Sequence, residues 1–477
     1  GTTLEAGWRQ LKWADRLSLF SFYNESDKDL QHNVVMTVPF GEITSSTLNY
    51  GGLLRWQKKN ESSLTSDVAL GYARNEVGFN DVSLFFYDWF GNRRLDDEGN
   101  VRVRNTPGEL GSPREQQVWD NNYFLRSSLS YTVNSALTLH FSSAPSYVDR
   151  NGENRRIVNR RDQLTAKQNA FTWVNGLEAE WKKGRIENRL FIKNYYQDVA
   201  AEEFLVGDRT RDRGRNSHNM GFGNNFRVKL DDKTSLKATY EWTARMPRVQ
   251  EIFGNGAQIL ANLELEPERS HNANLELTHS IKGPVGSSSD FTINGFLRAA
   301  NQLIVLLTDG QLFQFQNVFE AYSVGAEVTY QWSSPDGRFR FNVNGTWQEF
   351  RNNSSEGAFA NVQGDRIPNL PFVYANSAFN YVFPELFQSN DRLSFFLNSR
   401  YVHEFFRTWE SIGLSQFEET VPTQFVHNLG GTYQMSLGNL VTTLTLEAQN
   451  ITNAKVFDFF GVQRPRRNFS LKITTQF

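Results

Sequence analysis

The 477 residues predict an all-β chain, a transmembrane antiparallel β-barrel of about 19 strands with long extracellular loops and short periplasmic turns. Three observations lead there: a polar chain rich in aromatics, alternation with period two, and connections that alternate between short and long. Mean hydropathy is −0.53, and no run of about 18 apolar residues is present to cross a bilayer as a helix, so a helical membrane protein is excluded. Yet 39 Phe, 16 Tyr and 11 Trp bring the aromatic share to 14%. A membrane barrel reconciles the two facts. Its strands turn one apolar face to lipid and one polar face to a watery lumen, and aromatic girdles mark both interfaces.

The alternation is clearest in three places. From Ser235 to Trp242, Leu236, Ala238, Tyr240 and Trp242 share one face, and Ser235, Lys237, Thr239 and Glu241 the other. From Arg338 to Gln348, Phe339, Phe341, Val343 and Trp347 oppose Arg340, Asn342, Asn344, Thr346 and Gln348. The last strand sets Phe469, Leu471, Ile473 and Phe477 against Ser470, Lys472, Thr474 and Gln476. Lys237, Arg340 and Lys472 are costly against lipid and comfortable in a lumen. Phe191 and Phe396 sit on the nominally polar side.

Short links fall at Lys182–Gly184, Leu230–Lys233, Ser333–Gly337 and Ser436–Asn439. Long ones run over 91–118, 142–169, 198–217, 244–269, 349–368, 404–421 and 450–466. No linker or short repeat divides the chain, so residues 1–477 are expected to be one barrel domain. Counting back from an inward-running last strand, the first strand near Leu4–Trp13 also runs inward. Bacterial barrels have even strand numbers, so an odd number of strands is expected to be missing ahead of it. No signal peptide stands at Gly1, which places the start after processing or inside a larger chain.

The formal charge of −2 favours neither nucleic acid nor an acidic partner. The absence of cysteine is compatible with an envelope protein and equally with a cytosolic one. No catalytic constellation appears, so no enzyme is expected. The seven histidines are scattered, and His271 and His279 share a strand face too far apart to chelate one ion. Gly221-Phe222-Gly223 lacks the helix a phosphate loop needs. No cofactor is implied.

The predicted loops carry more. Arg150, Arg155, Arg156, Arg160, Arg161 and Lys167 outnumber Asp149, Glu153 and Asp162 between 149 and 167. Further runs are Arg209, Arg211, Arg213 and Arg215, and Arg464, Arg466 and Arg467. Arginine suits oxygen-rich anions through planar, multidentate hydrogen bonding. The plainer reading is that these side chains meet lipopolysaccharide phosphates or line a solvated loop. The 404–421 loop is itself acidic, with Glu404, Glu410, Glu418 and Glu419 against Arg407. Aromatics near loop bases (Tyr87, Trp89, Phe90, Phe405, Phe406, Trp409) could stack on a ring-bearing ligand or form the interfacial girdle.

Four stretches in the C-terminal half resemble the TonB-dependent outer-membrane receptors: "YEWTARMPRVQEIFGNG…NLELEPERSHNANLEL", "NQLIVLL…FQNVFEAYSVGAEVTY", "GDRIPNLP" and "QNITNAKVFDFFGVQRPRRNFSLKITTQF". The second carries Asn317, Val318, Ala321, Gly325 and Glu327 of that family's "N-V-x-x-A-x-x-x-G-x-E", and the third runs from Gly364 to Pro371. Arg466 departs from the Gly usual in the family's "P-G-R". The resemblance implies import of a scarce nutrient, bound among loops and a plug domain and driven by TonB. The plug and about three of the family's roughly 22 strands would precede Gly1. "GDRIPN", "RYVHEFFRTWES" (Arg400 to Ser411) and "FGVQRP" look most like receptors for catecholate siderophores of the myxochelin type.

The expected protein is therefore a monomeric importer of a ferric siderophore in the bacterial outer membrane, in contact with lipid and lipopolysaccharide, partnered by TonB through its plug, and without nucleic acid. Ligand contact is assigned to Arg155, Arg156, Arg160, Arg161, Arg209, Arg211, Arg213, Trp89, Phe406 and Trp409. Arg340, Arg392 and Arg400 are expected to face the plug. A passive porin or substrate-specific diffusion channel, and a surface adhesion or lipopolysaccharide-handling barrel, stay open as alternatives.

Overall fold

Where the sequence alternates, the chain is extended, and each extended stretch hydrogen-bonds to the next. The computed structural model describes all residues except 34–37, 60–62, 157–163, 165, 205–209, 256–257, 310–311, 358, 413–419, 439, 459–462 and 477. In chain order come β1 (Thr2–Leu11), β2 (Ala14–Asp29), β3 (Thr44–Lys59), β4 (Leu64–Asp81), β5 (Arg114–Thr132) and β6 (Leu137–Asn154). They are followed by β7 (Gln168–Lys183), β8 (Ile186–Phe204), β9 (Thr210–Lys229), β10 (Thr234–Arg245), the helix α1 (Val249–Phe253) and β11 (Ile259–Leu260). Then come β12 (Glu268–Lys282), β13 (Ser288–Asp309), β14 (Leu312–Ser333), β15 (Phe339–Asn352), β16 (Val373–Pro384) and β17 (Arg392–Val402). The chain ends with β18 (Phe405–Phe406), β19 (Thr420–Val421), β20 (Gln424–Leu437), β21 (Leu440–Gln449) and β22 (Asn468–Gln476).

Twenty of these strands form one barrel-type sheet, antiparallel except where β11 lies parallel to β14, and β18 and β19 pair separately. Setting aside the two-residue strands β11, β18 and β19, the described residues hold 19 long strands, as the alternation predicts. Two expected loops are shorter than predicted. Much of 142–169 and 198–217 is strand, because β6 runs to Asn154 and β8 and β9 to Phe204 and from Thr210. The physical reason is length. A tilted strand crosses hydrocarbon in about 9–11 residues, whereas β8 has 19 and β9 has 20. The outer part of β9 is polar on both faces and carries no hydrophobic period, and that of β8 keeps only the short run Val199–Ala201, in which Val199 and Ala201 are buried against α1.

The chain divides into two compact units. The first comprises Gly1–Asn224, Glu241–Ser270 and Ala300–Val318. Its sheet is two-faced: Phe141, Leu177 and Ile192 stand opposite one another across β6, β7 and β8, all well exposed. One residue away the other face carries Glu178, Glu180 and Arg189 in a shared ion-pair group. Buried apolar clusters lie where connections fold back on strand ends. Ile252 and Phe253 of α1 pack on Ala170, Val199 and Ala201, while Phe40 and Ile43 pack on Phe79.

The second unit comprises Asn225–Tyr240, His271–Ala299 and Phe319–Phe477. One row of cross-strand neighbours runs Trp332, Phe341, Phe379, Leu397, Leu429, Ala448, Phe469 from β14 to β22. The adjacent row is Gln331, Asn342, Ala378, Asn398, Asn428. A one-residue register slip would exchange these faces, so the contrast between the apolar and the polar row fixes the register. The two out-of-place phenylalanines are not alike. Phe396 lies over Gly430 of the neighbouring strand, where any Cβ would overlap its ring, as Phe296 lies over Gly325. Phe191 carries the Lys193 ammonium 4.8 Å from its ring centre in the first unit. Gly430→Leu is therefore expected to destabilise the folded state by about 1–3 kcal/mol through overpacking. Denaturant unfolding in detergent checks this, and an unchanged midpoint would count against the ring-over-glycine packing.

Candidate functional site

The first unit builds a cleft at its long-connection end. Backbone leaving β10 turns at Pro247 into α1, and three carboxylate contacts hold that turn. Arg245 donates Nη1 to Glu251 at 2.9 Å and Nε to Glu268 at 3.1 Å, and the Arg248 amide donates to Glu251 at 2.8 Å. Beneath it Arg150 of β6 is almost fully buried. It donates Nη2 to Asp120 at 2.9 Å and Nη1 to the Gly254 carbonyl at 2.7 Å, with Phe253 over the guanidinium. The basic character read at Arg150 thus serves structure.

Beside α1 lies a cavity of about 590 Å³ whose lining includes Arg114, Gln116, Arg156, Phe253, Leu260 and Gln314. It joins apolar walls to hydrogen-bonding groups, the mixture typical of small-molecule sites. Arg156 pairs with Glu115 at 3.0 Å and Arg155 with Glu153 at 3.0 Å, both exposed enough to be weak, exchangeable contacts. Arg211 is exposed on β9, and Arg213 pairs with Glu264 at 2.9 Å. Arg160, Arg161 and Arg209 lie outside the described residues.

The connection 82–113 forms three short rungs, with bridges Phe85 to Val103, Tyr87 to Arg93 and Leu95 to Val101. Tyr87 is buried and donates to Glu42 at 2.5 Å, so it belongs to the loop's frame and not to a ligand surface. That hydrogen bond holds the Glu42 carboxyl below the usual carboxylate range, while burial pushes Glu109 up despite amides from Gly41 and Glu42 at 2.9 Å. Trp89 stands exposed at the tip, its ring 6.2 Å from that of His32.

In the second unit, Phe405 is buried against Val402 and Val421. Phe406 lies on β18, and Trp409 packs 5.7 Å from Phe359. A second cavity, of about 410 Å³, lies on the polar face of β15–β22, where Asn342, Asn344, Asn376, Asn398, Asn428 and Asn468 converge with Arg400, Arg464 and Arg466. Asn376 donates to Asn344 at 3.1 Å. Sequence reasoning placed Arg400 on this face but missed the asparagine wall, whose signal is Asn recurring at the polar parity of successive strands. Of the predicted ligand residues, Arg155 and Arg156 neighbour each other and Arg213 keeps its own carboxylate in the first unit, and Phe406 and Trp409 lie in the second. Among the described residues, no group of three His, Asp or Glu gathers to hold a metal ion.

No curated protein matches the chain in sequence. Solved structures match its fold. The copper transporter OprC aligns with a TM-score of 0.73 at 14% identity, covering 99% of this chain and 71% of that one. BauA, the ferric preacinetobactin receptor of Acinetobacter baumannii, gives 0.66 at 12% identity, with 99% and 71% covered. The siderophore receptor PiuA of the same organism gives 0.68 at 11%, with 97% and 72% covered. The family model described as TonB dependent receptor-like, beta-barrel matches residues 55–451, most of the length, and the chain belongs to that family.

Proposed function

We propose that this chain is the barrel of an outer-membrane importer for a ferric siderophore of the catecholate class, driven by TonB through an N-terminal plug domain. The observation that carries the reading is the mixed cleft beside α1, where Arg156 and carboxamides face apolar walls. A ferric catecholate is an anion with aromatic flanks, and such a cleft offers both kinds of contact. Structural neighbours named as siderophore receptors support the same cargo. A bare copper ion fits less well, because the 477 residues include no Cys and only four Met to supply soft ligands, and among the described residues no Met lines the cleft. Arg155, Arg156, Arg160, Arg161, Arg209, Arg211, Arg213, Trp89, Phe406 and Trp409 remain the proposed contact residues. A porin is not favoured, since the family is one of receptors.

Growth under iron limitation tests the cargo. Deleting the full gene is expected to abolish growth on ferric catecholates as sole iron source and to leave growth on inorganic iron unchanged. Undiminished growth on every catecholate supplied would reject the assignment.

A further inference from the structure

Arg215 is the least satisfied cation among the described residues. Its Nε, Nη1 and Nη2 are all shielded from solvent and none has a hydrogen-bond partner there. It shares a face of β9 with Arg213 and lines a cavity of about 130 Å³ with Val199, Leu263 and Glu264. Arg213 is already neutralised by Glu264 at 2.9 Å. Glu264 and Glu266 act on Arg215 through space, yet neither bonds it. A guanidinium presents five donors in a planar fork, and withdrawing them from water without a partner is costly. Some group must compensate.

We infer that this cavity is a binding site for a small monoanionic carboxylate with an apolar body, and that Arg215 anchors it. The fork matches a carboxylate in bidentate geometry. Val199 and Leu263 supply an apolar wall for the remainder of the ligand. The nearby carboxylates of Glu264 and Glu266 disfavour a dianion such as phosphate through like-charge repulsion. The inference concerns binding alone and stands whether or not the protein imports an iron chelate.

Benzoate is a suitable probe, with benzamide as the uncharged isostere and inorganic phosphate as the competing oxyanion. Thermal unfolding of the detergent-purified protein would be followed at constant ionic strength. Benzoate is expected to raise the wild-type Tm with concentration, while benzamide and phosphate do not. Arg215→Met is expected to melt at or above wild type without benzoate, since an uncompensated charge is gone. Its benzoate affinity should be weaker by about tenfold or more. A wild-type protein indifferent to benzoate, or equally responsive to benzamide, would overturn the site, and this arm does not depend on the variant folding. A lower Tm for Arg215→Met without benzoate would show that the guanidinium is paired within the chain and would also overturn it. Phosphate matching benzoate in wild type would overturn the carboxylate class.

Discussion

Arg150→Ala is expected to cost the folded state about 3–5 kcal/mol, the typical loss when one partner of a buried ion pair is removed. The side chain is 7% exposed and its partner Asp120 16%. Truncation leaves that carboxylate without its bidentate cation, strands the Gly254 carbonyl, and removes the cation from beneath Phe253. The damage should concentrate at α1, whose Ile252 and Phe253 depend on a fixed approach to Ala170, Val199 and Ala201. Equilibrium unfolding gives the magnitude, and protease cleavage near 246–262 gives the location. A loss under about 1 kcal/mol would mean the pair is solvated and that α1 is held by apolar packing alone.

Arg366→Ala is the second large effect, expected at about 1.5–3 kcal/mol from lost charge-assisted hydrogen bonds. Arg366 donates Nη2 and Nε to Glu349 at 2.8 and 3.2 Å, approaches Glu410 at 3.7 Å, and stacks 4.2 Å above Phe372. It ties the 353–372 connection to β15 and to the segment after β18. Arg366→Lys should recover little, because an ammonium cannot reproduce the fork or the stacking. Faster proteolysis within 353–372 for both variants is the expected readout. Full rescue by lysine would show that charge alone matters there.

These two arginines mark the boundary of what could be read in advance. The strands β15 and β22 were legible because Phe339, Phe341, Val343 and Trp347, and Phe469, Leu471 and Ile473, recur at one parity against polar neighbours, a two-faced pattern written residue by residue. The outer halves of β8 and β9 were not, since no long apolar period runs through them and the one apolar pair, Val199 and Ala201, packs under α1. A different signal was present there: Arg211, Arg213 and Arg215 recur at period two, the spacing of one strand face, but they read as a loop because they are charged. Burial was also invisible. Arg150 is withdrawn under α1 by an Asp 30 residues earlier and a carbonyl 104 residues later, contacts that no local pattern encodes. The "GDRIPN" stretch was noticed through family resemblance, and its physical role at Arg366 emerged only from the ion-pair group around Glu349.

The central claim, energised import, is tested most directly by uptake of iron-55 bound to a catecholate siderophore. Cells carrying the full-length gene would be compared with and without TonB. Saturable accumulation that disappears when TonB is absent is the expected result. Accumulation that persists without TonB and rises linearly with external concentration would contradict it and make the protein a passive channel.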